Sequence, residues 1–152
     1  MLDLKTKEAL FKQCEAFVNN RLQTVEDVIS SNQKALQSET KSSAGDKHET
    51  GRAMLQLEME KAGQQLAGIV QMKLVLSKID VLKSSKKACL GSIIVTDKVC
   101  YFLSISAGQM VVADKIYFAI SVSSPMGTLL LGKQDKEEVI FNKKTILINS
   151  II

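Results

Sequence analysis

The chain has no tryptophan, one proline, one histidine and three cysteines in 152 residues. His48 is the sole imidazole, and Cys14, Cys89 and Cys100 are an odd number with no Cys-x-x-Cys pair. That set excludes a disulfide framework and a Cys/His zinc site. It also excludes acyl transfer of the condensing type, which needs a cysteine nucleophile with two further basic or amide partners in a large pocket. An apolar run of about 18 residues, the length of a membrane span, does not occur. Residues 1–20 carry Asp3, Lys5, Lys7, Glu8, Lys12 and Glu15 where a secretory signal has its apolar core. No membrane partner is expected, and the cytoplasm is the expected compartment.

What is present divides near residue 80. Residues 1–80 hold 11 basic and 11 acidic side chains, whereas residues 81–152 hold 9 and 5, so the net charge of +4 belongs to the second part. The first part is rich in Gln, Glu, Lys, Ala and Leu and the second in Val, Ile, Ser and aromatics. Such a shift in pattern marks two kinds of secondary structure. The fold class expected is α+β. Its parts are an antiparallel coiled-coil hairpin over 1–80 with its tip at 41–51, a polar linker over 81–88 and a sheet domain over 89–152.

In the first part Phe11, Cys14, Val18, Leu22, Val25, Ile29 and Leu36 recur at steps of three and four, with Asn32 filling the one gap. Leu55, Met59, Ala62, Leu66, Ile69, Met72, Leu76 and Ile79 repeat that spacing. Two apolar stripes joined by a short connection predict antiparallel helices sharing one seam. At 1.5 Å per residue, helices of about 34 residues would each be roughly 50 Å long. Gly63 and Gly68 each cost about 1 kcal/mol relative to Ala in the second helix, unless close packing against the first requires them. In the second part six β-rich runs are expected as strands, over 90–96, 99–106, 110–112, 116–122, 138–141 and 145–151. Ser124-Pro125-Met126-Gly127 followed by Thr128-Leu129-Leu130-Leu131-Gly132 predicts a capped helix of one or two turns, available to cover one face of a small antiparallel sheet. Cys14 falls on the helical stripe and Cys89 and Cys100 at or in strands, where a buried thiol acts as a small apolar residue.

Chemistry-bearing residues collect at the hairpin tip. Asp46 and Glu49 lie three residues apart, flanked by Gly45 and Gly51. Two carboxylates at that spacing can share a hard cation such as Mg²⁺ with another protein's ligands, since Mg²⁺ takes oxygen donors and retains several waters. The same spacing also serves as a capping box for the second helix, with Asp46 at the cap and Glu49 at its third position. The two uses are compatible. His48, between them, has no second catalytic partner in the sequence and reads as a polar loop residue. The nine lysines beyond residue 80 lack the aromatic interleaving of a nucleic-acid stacking platform and read as a solvated face.

Two of these features together resemble the Gre transcript-cleavage factors of bacterial RNA polymerase. The stretch Ile120-Ser121-Val122-Ser123-Ser124-Pro125-Met126-Gly127-Thr128-Leu129-Leu130-Leu131-Gly132-Lys133 is similar to the family's strand, Ser-Pro, short helix and Leu-Gly-Lys signature. Gly45-Asp46-Lys47-His48-Glu49 resembles its acidic tip. The resemblance implies an FKBP-like carboxyl-terminal domain that docks at the rim of the polymerase secondary channel through Ser123, Ser124, Pro125, Met126 and Gly127. It further implies a hairpin that enters the channel, where Asp46 and Glu49 act as the catalytic, metal-assisting pair. They would help hold a Mg²⁺ shared with the polymerase active site and not bound stably by the factor alone, so that the polymerase hydrolyses the 3′ end of backtracked RNA.

On this reading the chain is not itself an enzyme but an accessory elongation factor, expected as a monomer. It would meet RNA and DNA only within the transcription complex. The tip departs from the family, with Thr50, Gly51, Arg52 and Ala53 in place of Asn, Ala, a second Glu and an aromatic, which makes it less negative and a weaker metal ligand. After Lys133 the chain reads Gln134-Asp135-Lys136-Glu137, where the family continues with Gly-Asp. The alternatives are a channel regulator that does not stimulate cleavage and, by analogy of fold alone, a peptidyl-prolyl isomerase.

Overall fold

The computed structural model describes residues 3–41 and 46–152, without the side chains of residues 39–41 and 46–48. It is an α+β protein in which a long helical hairpin precedes a six-stranded, mostly antiparallel sheet with one short helix. Helix α1 spans Leu4–Lys41 and α2 spans Asp46–Ser77, rods of about 57 and 48 Å at 1.5 Å per residue. The break expected over 41–51 is narrower, because helix persists through Lys41 and resumes at Asp46. Ser, Thr and Lys lower helix propensity by only about 0.7 kcal/mol or less each, too little to stop helices that continue to gain from their seam. Residues 42–45, including Gly45 of the expected tip, lie outside the described residues.

The chain divides into two compact units, one of residues 18–72 and the other of residues 1–17 with 73–152. In the first, the positions read from the spacing are the ones withdrawn from water. Val18, Val25 and Asn32 of α1 and Ala62 and Ile69 of α2 are buried, and Leu22, Ile29, Leu36, Leu55, Met59, Leu66 and Met72 are half-buried. Their three-and-four spacing is that of a coiled-coil seam. Asn32 is the polar member, and its side-chain Nδ2 has no hydrogen-bond partner among the described residues. Gly63 and Gly68 are exposed, with nothing within 4 Å of where a Cβ would stand. Close packing is therefore not the reason for either glycine.

The second unit holds the sheet. Strands β1 (Ile93–Thr96), β2 (Cys100–Ser104), β3 (Gly108–Val112), β4 (Lys115–Ser121), β5 (Glu138–Phe141) and β6 (Lys144–Ile151) lie in the order β3-β4-β2-β1-β6-β5. The expectation of a wholly antiparallel sheet is corrected at one pair, since β2 and β4 run parallel. The chain leaves β2, forms β3 at the edge and returns as β4 between them, so β4 repeats the direction of β2. Two tight turns make the remaining hairpins compact. Ala113 and Asp114 have φ of 51° and 64°, and Asn142 and Lys143 have 51° and 65°, the paired left-handed residues of a type I′ turn that matches strand twist.

Each face of the sheet has its own cover. Helix α3 (Pro125–Leu130) lies on one, where Met126 and Leu130 join Ile94, Leu103, Val139, Ile146 and Ile148. On the other, Phe102, Met110 and Tyr117 are buried with the first turns of α1. There Cys14 Sγ lies 3.6 Å from Ser104 Oγ and 4.0 Å from Met110 Sδ. Gln13 donates to the Val111 carbonyl on edge strand β3 at 2.9 Å, satisfying one of the groups that an edge leaves unpaired. The sequence reading foresaw only the first cover.

Candidate docking cleft and hairpin acids

The turn from β4 into α3 is held by a small set of local bonds. Ser124 caps the helix with extended backbone, its Oγ accepting from the Gly127 amide at 3.0 Å and donating to the Ser121 carbonyl at 2.6 Å. Pro125 takes the first helical turn, where its missing N–H costs nothing. Gly127 must be glycine, because a Cβ would stand 2.1 Å from the Ser121 carbonyl oxygen. At the other end Gly132 takes a φ of +83°, the left-handed exit for which glycine is favoured. The Ser-Pro-Met-Gly segment is thus a device for turning a strand into a helix pressed against that strand's end.

This geometry sorts the five residues expected to meet a partner. Ser123 and Pro125 are exposed, Ser124 is half-buried, and Met126 and Gly127 are buried. Met126 forms one wall of a cleft of about 570 Å³, lined also by Lys98, Tyr101, Phe141, Asn142, Lys144 and Ile146. Burial raises the Tyr101 phenol above its ordinary pKa. An apolar floor with two rings and a rim of amines and an amide suits a protruding apolar side chain carried on an acidic neighbourhood. Apart from Met126, the sequence reading singled out none of these lining residues for docking. Alternation assigns Tyr101 to one face of β2, but only the strand order β2-β1-β6-β5 and the packing of α3 on that face bring it to Phe141 and Met126.

The acids of the hairpin stand elsewhere. Positions 46 and 49 are both helical and three apart, a spacing that places neighbours about 5–6 Å apart on one helix surface. The Glu49 side chain is exposed. The side chains of Asp46 and His48 lie outside the described residues, so the capping contact expected at Asp46 does too. Helix α2 begins at Asp46 itself, one position from the expected cap, within the ordinary spread of helix boundaries. Among the described residues no group of three His, Cys, Asp or Glu side chains could hold a metal ion, and no helix is long and apolar enough to cross a membrane. A pair of carboxylates three positions apart fits Mg²⁺ by donor type and falls short of it by donor number.

One buried group carries no signal in the sequence, and one cysteine departs from its expected environment. Lys7 is 2% exposed and donates to the Lys83 carbonyl at 2.8 Å. Burial lowers its pKa, partly opposed by the nearby Cys89 and Asp80. Cys89, expected to be buried near a strand, is exposed, because it precedes β1 in a turn where its amide donates to Ser92 Oγ at 3.0 Å. Burial raises the thiols of Cys14 and Cys100, which behave as the small apolar residues expected. Against family models, curated proteins and solved structures the chain finds no match.

Proposed function

We propose that the chain is a Gre-like elongation factor that binds RNA polymerase, places its hairpin in the secondary channel and stimulates cleavage of backtracked RNA through Asp46 and Glu49. The observation that carries the reading is the conjunction in one chain of two features. A long two-helix seam has Glu49 exposed in the first turn of its second helix, and a following sheet domain has a Ser124-capped helix that walls an apolar cleft. In this reading the sheet domain is FKBP-like and the cleft takes an apolar side chain from the channel rim. The two acids add oxygen donors to a Mg²⁺ whose other ligands belong to the polymerase. A second metal at a polymerase active site stabilises the attacking and leaving oxygens of an in-line displacement.

The experiment is incubation of stalled, backtracked transcription complexes with the protein and Mg²⁺. Shortening of the RNA, lost in the Asp46→Ala/Glu49→Ala variant while polymerase retention persists, supports the reading; no shortening at saturating protein rejects it. One observation favours a channel regulator that does not stimulate cleavage: Arg52, where the family has its second acid, is exposed in α2 three residues beyond Glu49. That reading predicts altered initiation or elongation, without RNA shortening and insensitive to Asp46→Ala.

A further inference from the structure

Four of the nine lysines beyond residue 80 lie on two segments, 45 residues apart in sequence, that a backbone contact joins. The Ala88 amide donates to the Lys133 carbonyl and the Gly132 amide to the Ala88 carbonyl, each at 2.7 Å. This two-bond bridge sets Lys86 and Lys87 of the linker beside Lys133 at the exit of α3. Lys83 is held on the same segment by the buried Lys7 ammonium on its carbonyl. Lys83, Lys86 and Lys87 are exposed and Lys133 is half-buried. Among the described residues none of the four has a carboxylate within ion-pair distance, whereas Lys12 pairs with Glu8 at 3.4 Å and Lys98 with Asp97 at 3.7 Å. The acids on these segments are Asp80, Asp135 and Glu137. Asp80 accepts from the Leu82 amide at 3.0 Å and Glu137 from the Gln134 amide at 2.6 Å, so two of the three carboxylates are turned onto backbone.

We infer that Lys83, Lys86, Lys87 and Lys133 form a binding surface for the phosphate backbone of duplex nucleic acid. Lys83 to Lys87 spans at most about 14 Å of extended chain, the length of about four base pairs at 3.4 Å each. The segments 78–88 and 131–137 contain no Phe, Tyr or Trp. A single-strand site would need rings on which bases stack, and a protein-binding site would centre on an aromatic or arginine anchor in a pocket. Lysine ammonium groups on a polar surface match what a phosphate backbone requires, charge without base readout.

Fluorescence anisotropy with a labelled 20-base-pair DNA duplex, using the free full-length protein, tests the inference. With four phosphates neutralised, affinity falls about 100-fold between 50 and 200 mM salt. Replacing Lys83, Lys86, Lys87 and Lys133 by Gln abolishes binding at 50 mM salt with the melting temperature retained. The same four-charge change at the exposed Lys34, Lys61, Lys73 and Lys115 leaves most of it. Equal loss in both variants, no duplex binding at 50 mM salt, or tighter binding of poly-aspartate than of duplex each overturns the inference.

Discussion

At the scale of single residues, four positions convert local geometry into measurable stability. Gly127→Ala places a methyl group 2.1 Å from a backbone oxygen, and backbone yields less readily than a side chain. The expected loss is at least about 1–3 kcal/mol, read as a fall in urea midpoint at unchanged slope. Gly63→Ala meets open space in a helix and gains about 1 kcal/mol, read as a rise in the same midpoint. Lys7 gives a pH signature. Its pKa is depressed below the ordinary 10.5 by burial, so its contribution to stability is lost as pH falls through the folded value. Above that value it grows until the unfolded chain also loses its proton. The stability difference between wild type and Lys7→Met, followed by denaturant titration at several pH values, therefore shifts toward wild type as pH rises to 10.5. Cys14 acts oppositely. Its thiol is raised from 9.0 by burial, so its contribution is present below pH 9 and declines above it. A difference profile that is flat up to pH 10.5 contradicts the depressed Lys7 pKa.

At the scale of elements, the seam of α1 and α2 is where the sequence was most legible. Every position assigned to the α1 stripe, and the corresponding set in α2, is buried or half-buried, because a helix's period fixes its face whatever it packs on. The exception in chemistry is Asn32, whose buried amide nitrogen lacks a partner among the described residues. Removing such a group while keeping the volume relieves a desolvation cost of about 1–3 kcal/mol. Asn32→Leu is accordingly expected to slow hydrogen exchange along α1 and α2, and unchanged protection would count against a buried, unpaired amide. In the sheet domain the strand runs were legible to within about three residues. The helix ends were legible from Ser124-Pro125 and Gly132, residues whose backbone preferences are local. The parallel pairing of β2 with β4 was not legible, because alternation shows which residues share a face and not which strand lies beside which.

At the scale of the whole molecule, the proposed cleft brings together β2, β5, β6, α3 and the turns beside them. If it docks a protruding apolar side chain, Tyr101→Ala or Phe141→Ala weakens polymerase retention at least about tenfold, as loss of a central aromatic contact does. Each is read by co-sedimentation with the polymerase and leaves the hairpin acids untouched. Retention unchanged in both variants would remove the cleft from the proposed interface. The charge total was legible at once, and its placement beyond residue 80 needed only counting. That Lys133 would be joined to the segment carrying Lys86 and Lys87 was not legible, since 45 residues separate Lys133 from its bonding partner Ala88 and only backbone bonding joins them.

The order of residues alone determined the periodic structure of this protein: two helices with one seam, strands by alternation, a short helix by its cap, and an acidic pair near the start of the second helix. These follow from interactions within a few residues along the chain. The tertiary structure alone decided that the first turns of α1 cover a sheet face and bury Ser104, that Lys7 is buried on the Lys83 carbonyl, and that a cleft and a lysine cluster assemble from distant segments. Long-range contacts of that kind depend on which surfaces compete best for burial, and spacing along one chain does not encode that competition.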